Sequence, residues 1–203
     1  MVFYEPAARD RDLLPHDPFK AIVAPRPIGW ISTRTADGTT NLAPYSFFNA
    51  VGDRPPMVMF SSVGMKDTAS LALESGEFCW NLVSRDLAEL MNATSRSLPR
   101  GDDEAAATGL ELEPGRVTGA PRVVASHASL ECVVVHSTQL RDRHGAGTDH
   151  WLVVGEVVGV HLDEALLTPD GRFDTLAAQP VMRAGYADEY LVADTMLRMT
   201  RPA

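Results

Sequence analysis

Residues 41–68 read NLAPYSFFNAVGDRPPMVMFSSVGMKDT, and the reading of this stretch decides the fold. Residues 41–51 have the composition of a strand, and a turn follows through Asp53, Arg54, Pro55 and Pro56. A second strand is expected over 57–61. Pro44 has no N–H to give to a ladder, so a sheet running through it is interrupted there or has it at an edge. Either arrangement leaves backbone groups free beside the rings of Tyr45, Phe47 and Phe48. The stretch ends in SSVGMKDT, which has the parts of an anion site. Ser61 and Ser62 bring hydroxyl donors, Gly64 permits an unusual turn, and Lys66 brings a cation. Asp67 or Thr68 then caps a helix over 68–75, whose first free N–H groups favour a bound anion.

Aromatic rings beside free backbone groups, followed by an anion site, suit a flat polar ring system that carries a phosphate. Flavin mononucleotide (FMN) is the candidate that fits both halves. Within the stretch, Tyr45 and Phe47 alternate with Ser46 and Phe48. A continuous strand therefore turns one pair to the core and the other to the ligand. Ser46 and Phe48 are assigned to the ligand.

The chain has 203 residues, enough for one sizeable core and short for two. No run approaches the roughly 20 apolar residues of a membrane span. The opening MVFYEPAARDRDLL lacks the basic-then-apolar layout of a signal peptide, so the chain reads as cytoplasmic. A formal net charge of −9 argues against a nucleic-acid backbone as partner, which needs a concentrated basic face. Cys79 and Cys132 lie in apolar, strand-like runs and read as buried, reduced thiols. Neither has metal-ligand spacing.

Outward from 41–68 the pattern is mostly of strands. Residues 1–17 read as an irregular lead-in and FKAIVA, 19–24, as a first strand. Pro25 and Pro27 hold the backbone extended ahead of a strand over 28–35. Asp37-Gly38 signals a hairpin into the next strand, which makes the first three strands antiparallel neighbours. After the 68–75 helix, stopped by Gly76, come a strand over 77–83 and a helix over 85–93 with Leu87, Leu90 and Met91 on one face. From 95 to 119 the pattern weakens. DDEAAATG reads as a short helix, LELEPGRVTG as loop, and the whole as an excursion covering the ligand or a partner subunit. Strands over 129–140 and 150–162 pair across the loop DRHGAGTD. The tail from 169, with Arg183, Tyr186 and Tyr190, runs over the surface or a dimer partner. Strands outnumber helices, which favours a closed or nearly closed β-barrel with peripheral helices over a doubly wound sheet. One domain over 1–203 is expected, with its core at 19–162 and a C-terminal extension over 163–203.

Other chemistries find less support. Adjacent Asp149 and His150 raise a hydrolytic triad, but no serine stands in a G-x-S-x-G context. His144, Asp149 and His150 are irregularly spaced for a metal. No G-x-G-x-x-G follows a strand, so no Rossmann site is expected, and a nicotinamide would stack directly on an exposed flavin face.

PRPIGWIST, NLAPYSFFNAV, SSVGMKDT, EFCWNLV, ASHASLECVVV and GTDHWLVVGEVV occur in the order seen in the flavin reductase-like, FMN-binding split-barrel family. Over about 19–162 the chain resembles the longer, flavoredoxin-like branch of that family. The resemblance implies a mainly β, antiparallel Greek-key split β-barrel that forms a homodimer, with FMN near the subunit interface. It implies that Trp30, Ser32 and Thr33 line the flavin site, and that Asn41, Ala43, Pro44, Ser46, Phe48 and Asn49 contact the ring and ribityl chain. Ser61, Ser62, Lys66, Asp67 and Thr68 are implied at the phosphate, with Arg26 as a further candidate. His150 is implied as the catalytic residue, near the flavin and the nicotinamide approach. His127 is a departure, standing where the family pattern has a proline.

The implied activity is hydride transfer from NAD(P)H to FMN, with FAD as the alternative flavin and a partner monooxygenase as one recipient of reduced flavin. The alternatives are a flavoredoxin-like electron-transfer protein with little NAD(P)H activity, and a non-catalytic binding module of the same fold. Plainer readings stand beside the sharp ones: a solvated Lys66, a core-packed Trp30 and a structural His150 at a strand start.

Overall fold

In a computed structural model, which describes residues 1–96 and 103–202, the stretch 41–68 forms three strands and a helix. The elements in chain order begin with α1 (Phe19–Ile22), β1 (Arg26–Pro27), β2 (Gly29–Arg34) and β3 (Thr40–Tyr45). Next come β4 (Phe48–Asp53), β5 (Pro56–Val63), α2 (Asp67–Ser75), β6 (Glu77–Asn81), α3 (Ala88–Ala93) and α4 (Glu104–Thr108). β7 (Leu112–Pro114), β8 (Pro121–Val123), β9 (Ala128–Arg141), β10 (Gly147–Leu162), β11 (Val181–Arg183) and β12 (Tyr190–Val192) complete the order.

A seven-stranded sheet of order β3-β2-β6-β9-β10-β5-β4 carries the fold, with antiparallel neighbours throughout. The long β9–β10 hairpin inserts between β5 and β6, which are neighbours in sequence. That interleaving gives the Greek-key order. The sheet also rolls on itself. Ile31, Tyr45, Phe48, Phe60, Phe78, Cys132 and Val153 lie in one buried cluster, and they come from all seven strands, both edges included. A flat sheet could not bring its two edges to one core, so the sheet is a barrel. Ala69 and Ala72 of α2 pack into the same cluster, their small side chains letting the helix approach closely. Phe60 and Phe78 are fully buried, each removing apolar surface worth about 1.5–3 kcal/mol. A second cluster, with Trp30, Leu42, Leu87, Met91, Val123 and Val181, binds α3 and the tail to the outside of the barrel.

The strand order puts β3 at an edge, and Pro44 lies in it opposite Trp30 of β2. The 28–35 strand, the Asp37-Gly38 hairpin, the helix stopped by Gly76, the short helix in DDEAAATG and the β9–β10 pair all form. Other expectations are corrected. FKAIVA is no strand. Asp17 Oδ1 accepts the Phe19 N–H at 3.0 Å, and the chain turns into α1 with Phe19 and Ile22 exposed. Only two of the first three expected strands are therefore neighbours. The 41–51 strand is broken at Ser46 and Phe47, and the 57–61 strand is longer, as β5. Strand 77–83 ends at Asn81. The 85–93 helix opens with a 3₁₀ turn, Arg85–Leu87, and leaves Leu90 exposed while Leu87 and Met91 are buried. LELEPGRVTG contains β7, paired with β8. Within the expected 95–119 excursion, 97–102 lie outside the described residues.

The tail does not lie idle on the surface. β11 pairs with β1 and β12 with β11, in a small second sheet. His127, the departure from the family pattern, has Nδ1 at 2.8 Å from Asp163 Oδ2, joining the start of β9 to the end of β10. The Ala165 N–H and His127 hold the Asp163 carboxyl below its ordinary range. Among the described residues no helix is long and apolar enough to cross a membrane.

Candidate functional site

A cavity of about 600 Å³ opens between the edge of β3, the 46–47 bend, the end of β5 and the start of α2. That volume is in the range of about 300–1,000 Å³ usual for small-molecule sites. Its position follows from the local sequence. Ser62 at the end of β5 donates its hydroxyl to the Gly64 carbonyl at 2.8 Å, and Gly64 takes a left-handed φ of 76°. The chain thus reverses from β5 into α2 within four residues and brings Lys66 to the cavity. Lys66 stands at the N-cap position of α2 without a side-chain capping bond, and Asp67 and Thr68, the two expected candidates for the cap, are the first two helical residues. Lys66, Asp67 and Thr68 all line the cavity.

Opposite them, the free edge of β3 is held by α4. The Asn41 carboxamide donates to Glu104 at 3.0 Å, and the Leu42 N–H donates to the same carboxylate at 3.1 Å. Burial raises the Glu104 pKa, against the opposing effect of the Leu42 N–H. The Thr68 hydroxyl donates to the Asn41 oxygen at 2.6 Å. Burial likewise raises the Tyr45 phenol pKa, against hydrogen bonding from Thr68 and Ser62. Among the described residues one polar atom in the wall is unmatched: Ser61 Oγ is buried and has no hydrogen-bond partner there. An unmatched buried hydroxyl costs about 1–3 kcal/mol, and a ligand acceptor in the cavity would relieve it. Among the described residues of the lining, Lys20, Lys66 and Arg96 stand against Asp67 and Glu104, an excess of positive charge.

The structure brings Asn41, Ala43, Pro44, Ser46, Ser61, Lys66, Asp67 and Thr68 together around this cavity. It places the remaining expected residues elsewhere. Trp30 is fully buried, its indole N–H on the Thr94 hydroxyl at 3.0 Å. Ser32 is buried and donates to the Pro121 carbonyl. Thr33 is buried off the cavity. Phe48 faces the core, stacked on Trp80 at 5.4 Å, and Phe47 takes the place assigned to it at the cavity. The bend at Ser46 and Phe47 resets the alternation, so Tyr45 and Phe48 both point inward. Asn49 is exposed and accepts the Ala50 N–H. Ser62 shapes the turn from below. His150 does not line the cavity; it meets Phe47 edge-on at 5.9 Å. Arg26 stands behind the bend, hydrogen-bonded to the Ser46 carbonyl at 3.4 Å with its guanidinium 5.5 Å from the Phe47 ring.

Lys20 and Thr94 line the cavity without having been expected there, while Ser95, Arg96 and Glu104 come from the 95–119 excursion expected to cover the ligand or a partner subunit, though none was singled out. All five reach it from elements far away in sequence. Cys79 and Cys132 are buried, and burial pushes both thiols up, Cys132 to about 12, which leaves them protonated.

The profile of the family described as Flavin reductase like domain matches residues 23–177. The chain is 40% identical to an uncharacterized protein of Deinococcus radiodurans, over 84% of this chain and 77% of that one. It is 32% identical to an uncharacterized protein of Aquifex aeolicus, over 81% and 83%. Among solved structures, nitrilotriacetate monooxygenase component B from Bacillus cereus matches with a TM-score of 0.87 at 26% identity, over 98% of each chain. The 2-nitrobenzoate 2-nitroreductase of Pseudomonas fluorescens matches with a TM-score of 0.83 at 25% identity, over 100% of this chain and 96% of that one.

Proposed function

The chain belongs to the flavin reductase-like domain family and has its split-barrel fold, and on that premise we propose that it is an FMN-dependent oxidoreductase accepting a hydride from NAD(P)H. The observation that carries the reading is the unmatched Ser61 hydroxyl, buried in the wall of a cavity that also holds Lys66 and the start of α2. These residues fit a flavin phosphate and ribityl chain, with Asn41, Ala43, Pro44, Ser46 and Phe47 beside the ring. Bound FMN would supply the two-electron chemistry.

The protein's own contribution is placement. Lys66 and the first N–H groups of α2 favour the phosphate dianion. Thr68, Asn41 and Glu104 fix the distance between α2 and the β3 edge, so the ring and phosphate ends of the site keep one spacing. Arg26 and His150 hold Phe47 from behind and from its edge, which makes His150 a positioning residue acting through Phe47. A nicotinamide held over the exposed face of the ring gains by proximity alone, without a protein nucleophile.

The proposal extends to a homodimer. Val133 and Val135 are exposed on one face of the β9–β10 hairpin and Val160 and Leu162 on the other, apolar residues that a second copy of the chain would cover. The likeness to the Bacillus cereus monooxygenase component supports delivery of reduced flavin to a monooxygenase. The likeness to the nitroreductase supports a second reading, in which a small aromatic acceptor enters the same cavity. Anaerobic mixing of the FMN-loaded protein with NADH or NADPH tests the hydride step. Bleaching of the visible flavin band is expected with at least one of them. A flavin that stays oxidised with both, yet is reduced by a protein donor, would make the chain an electron carrier.

A further inference from the structure

A second cavity of about 490 Å³ adjoins the first, and Lys20 and Ser46 line both. Its walls come from the N-terminal segment, β1, the end of β11 and the tail after it. Arg26 is only 6% exposed. Its guanidinium donates to the Ser46 and Ala184 carbonyls, and among the described residues its Nε has no partner. Arg183 is its register partner across the β1–β11 pair. Arg183 donates to the Ala187 carbonyl and lies 4.6 Å from the Tyr190 ring. Among the described residues neither arginine has a carboxylate partner.

Lys20 adds a third cation, and Asp17, engaged with the Phe19 N–H, is the one acidic group among the described residues of the lining. His16 stands edge-on to Tyr186 at 5.8 Å, joining the two segments across the cavity. The tail also lies directly on α1, since a Cβ on Gly185 would come within 2.4 Å of the Ala21 Cβ. Like charges placed opposite one another on paired strands destabilise a sheet, and a buried donor without a partner adds to the cost. In a chain with a net charge of −9, that arrangement points to an anion as the missing partner.

We propose that the cavity walled by Arg26, Arg183 and Lys20 binds a phosphate of a second, nucleotide ligand, whose ring enters the first cavity past Ser46 and Phe47. The proposal rests on the flavin reading of the first cavity. Burial and the neighbouring Arg183 lower the Arg26 pKa, the effect a bound dianion would reverse.

Calorimetric titration of the FMN-loaded protein with pyrophosphate, NAD⁺ and NADP⁺ tests it, with FMN affinity measured separately. Arg183→Gln is expected to weaken pyrophosphate and at least one dinucleotide about tenfold or more, and to change FMN affinity less than about twofold. Weakening of NADP⁺ alone among the dinucleotides assigns the cavity to the 2′-phosphate; weakening of both assigns it to the pyrophosphate bridge. Unchanged affinities, or weakening of pyrophosphate with neither dinucleotide affected, overturn the proposal. So does an equal loss of FMN affinity, which gives the cavity to the flavin's own phosphate. Lys20→Gln, outside the Tyr190 contact, carries the same expectations for pyrophosphate and the dinucleotides should Arg183→Gln fold poorly; because Lys20 also lines the first cavity, the FMN comparison is made on Arg183→Lys. Failure of the flavin reading shows separately, as loss of FMN binding in the wild-type protein.

Discussion

The Thr68 hydroxyl donates to the Asn41 carboxamide oxygen over 2.6 Å, while the Asn41 amide donates to Glu104. Three elements distant in sequence, α2, β3 and α4, are thereby tied along one wall of the cavity. Asn41→Ala would leave the Thr68 hydroxyl and the Glu104 carboxylate without this partner. A loss of about 1–3 kcal/mol is expected in urea unfolding, with a smaller loss for Thr68→Val, which removes only one bond. Equal stability of the wild type and Asn41→Ala would remove this link from the account.

Lys66 is exposed and has no part in the core, so on the proposed reading its loss falls on binding and not on stability. Lys66→Ala is expected to weaken FMN about tenfold to a hundredfold, the value of one charge-assisted contact. Riboflavin, which lacks the phosphate, should bind the variant and the wild type alike, and the melting temperature should hold. Fluorescence quenching of each flavin reads the difference.

Glu131 sets part of the acid stability. Burial alone would raise its carboxyl, but the Thr118 N–H, His161 and the N–H groups of Arg116 and Val117 hold it down to about 2. A carboxyl depressed in the folded state stabilises the protein above its ordinary pKa of 4.5, and that contribution disappears as pH falls toward about 2. Unfolding free energy should therefore drop across that window. Glu131→Gln should cost about 1–3 kcal/mol at neutral pH and flatten the acid limb. An acid limb as steep as the wild type's would assign it to other groups.

Much of this architecture is written locally. Asp37-Gly38, Gly76, the Asp103-led start of α4 and the apolar runs of β9 and β10 each carry their own signal, and each forms the element it announces. What is not local was misread. FKAIVA looks like a strand because its residues are apolar, yet Asp17 accepts the Phe19 N–H and the segment turns into a helix. Period-two alternation placed Phe48 at the ligand, because nothing in the residues themselves announced the bend at Ser46 and Phe47. Ser61, Lys66, Asp67 and Thr68 of the SSVGMKDT motif do line the cavity, as one local signal. Glu104 and Lys20 reach the cavity only through the tertiary fold, and Trp30, Ser32 and Thr33 are turned away from it by the same fold.

Gly155 tests the packing of the barrel. A Cβ there would meet the Phe78 ring at 2.5 Å and the Cys132 Cβ at 2.9 Å. Gly155→Ala must push β10 off the core or displace Phe78, which is fully buried. A loss of about 1–3 kcal/mol is expected in thermal or urea unfolding. A neutral substitution would show that the core yields there.

The central claim is that the cavity between β3, β5 and α2 holds FMN by its phosphate, and an equilibrium titration of the purified protein with FMN and with riboflavin tests it most directly. The account predicts saturable binding of one FMN per chain, with riboflavin held about tenfold or more weaker. Failure to bind either flavin, or equal affinity for both, would contradict it.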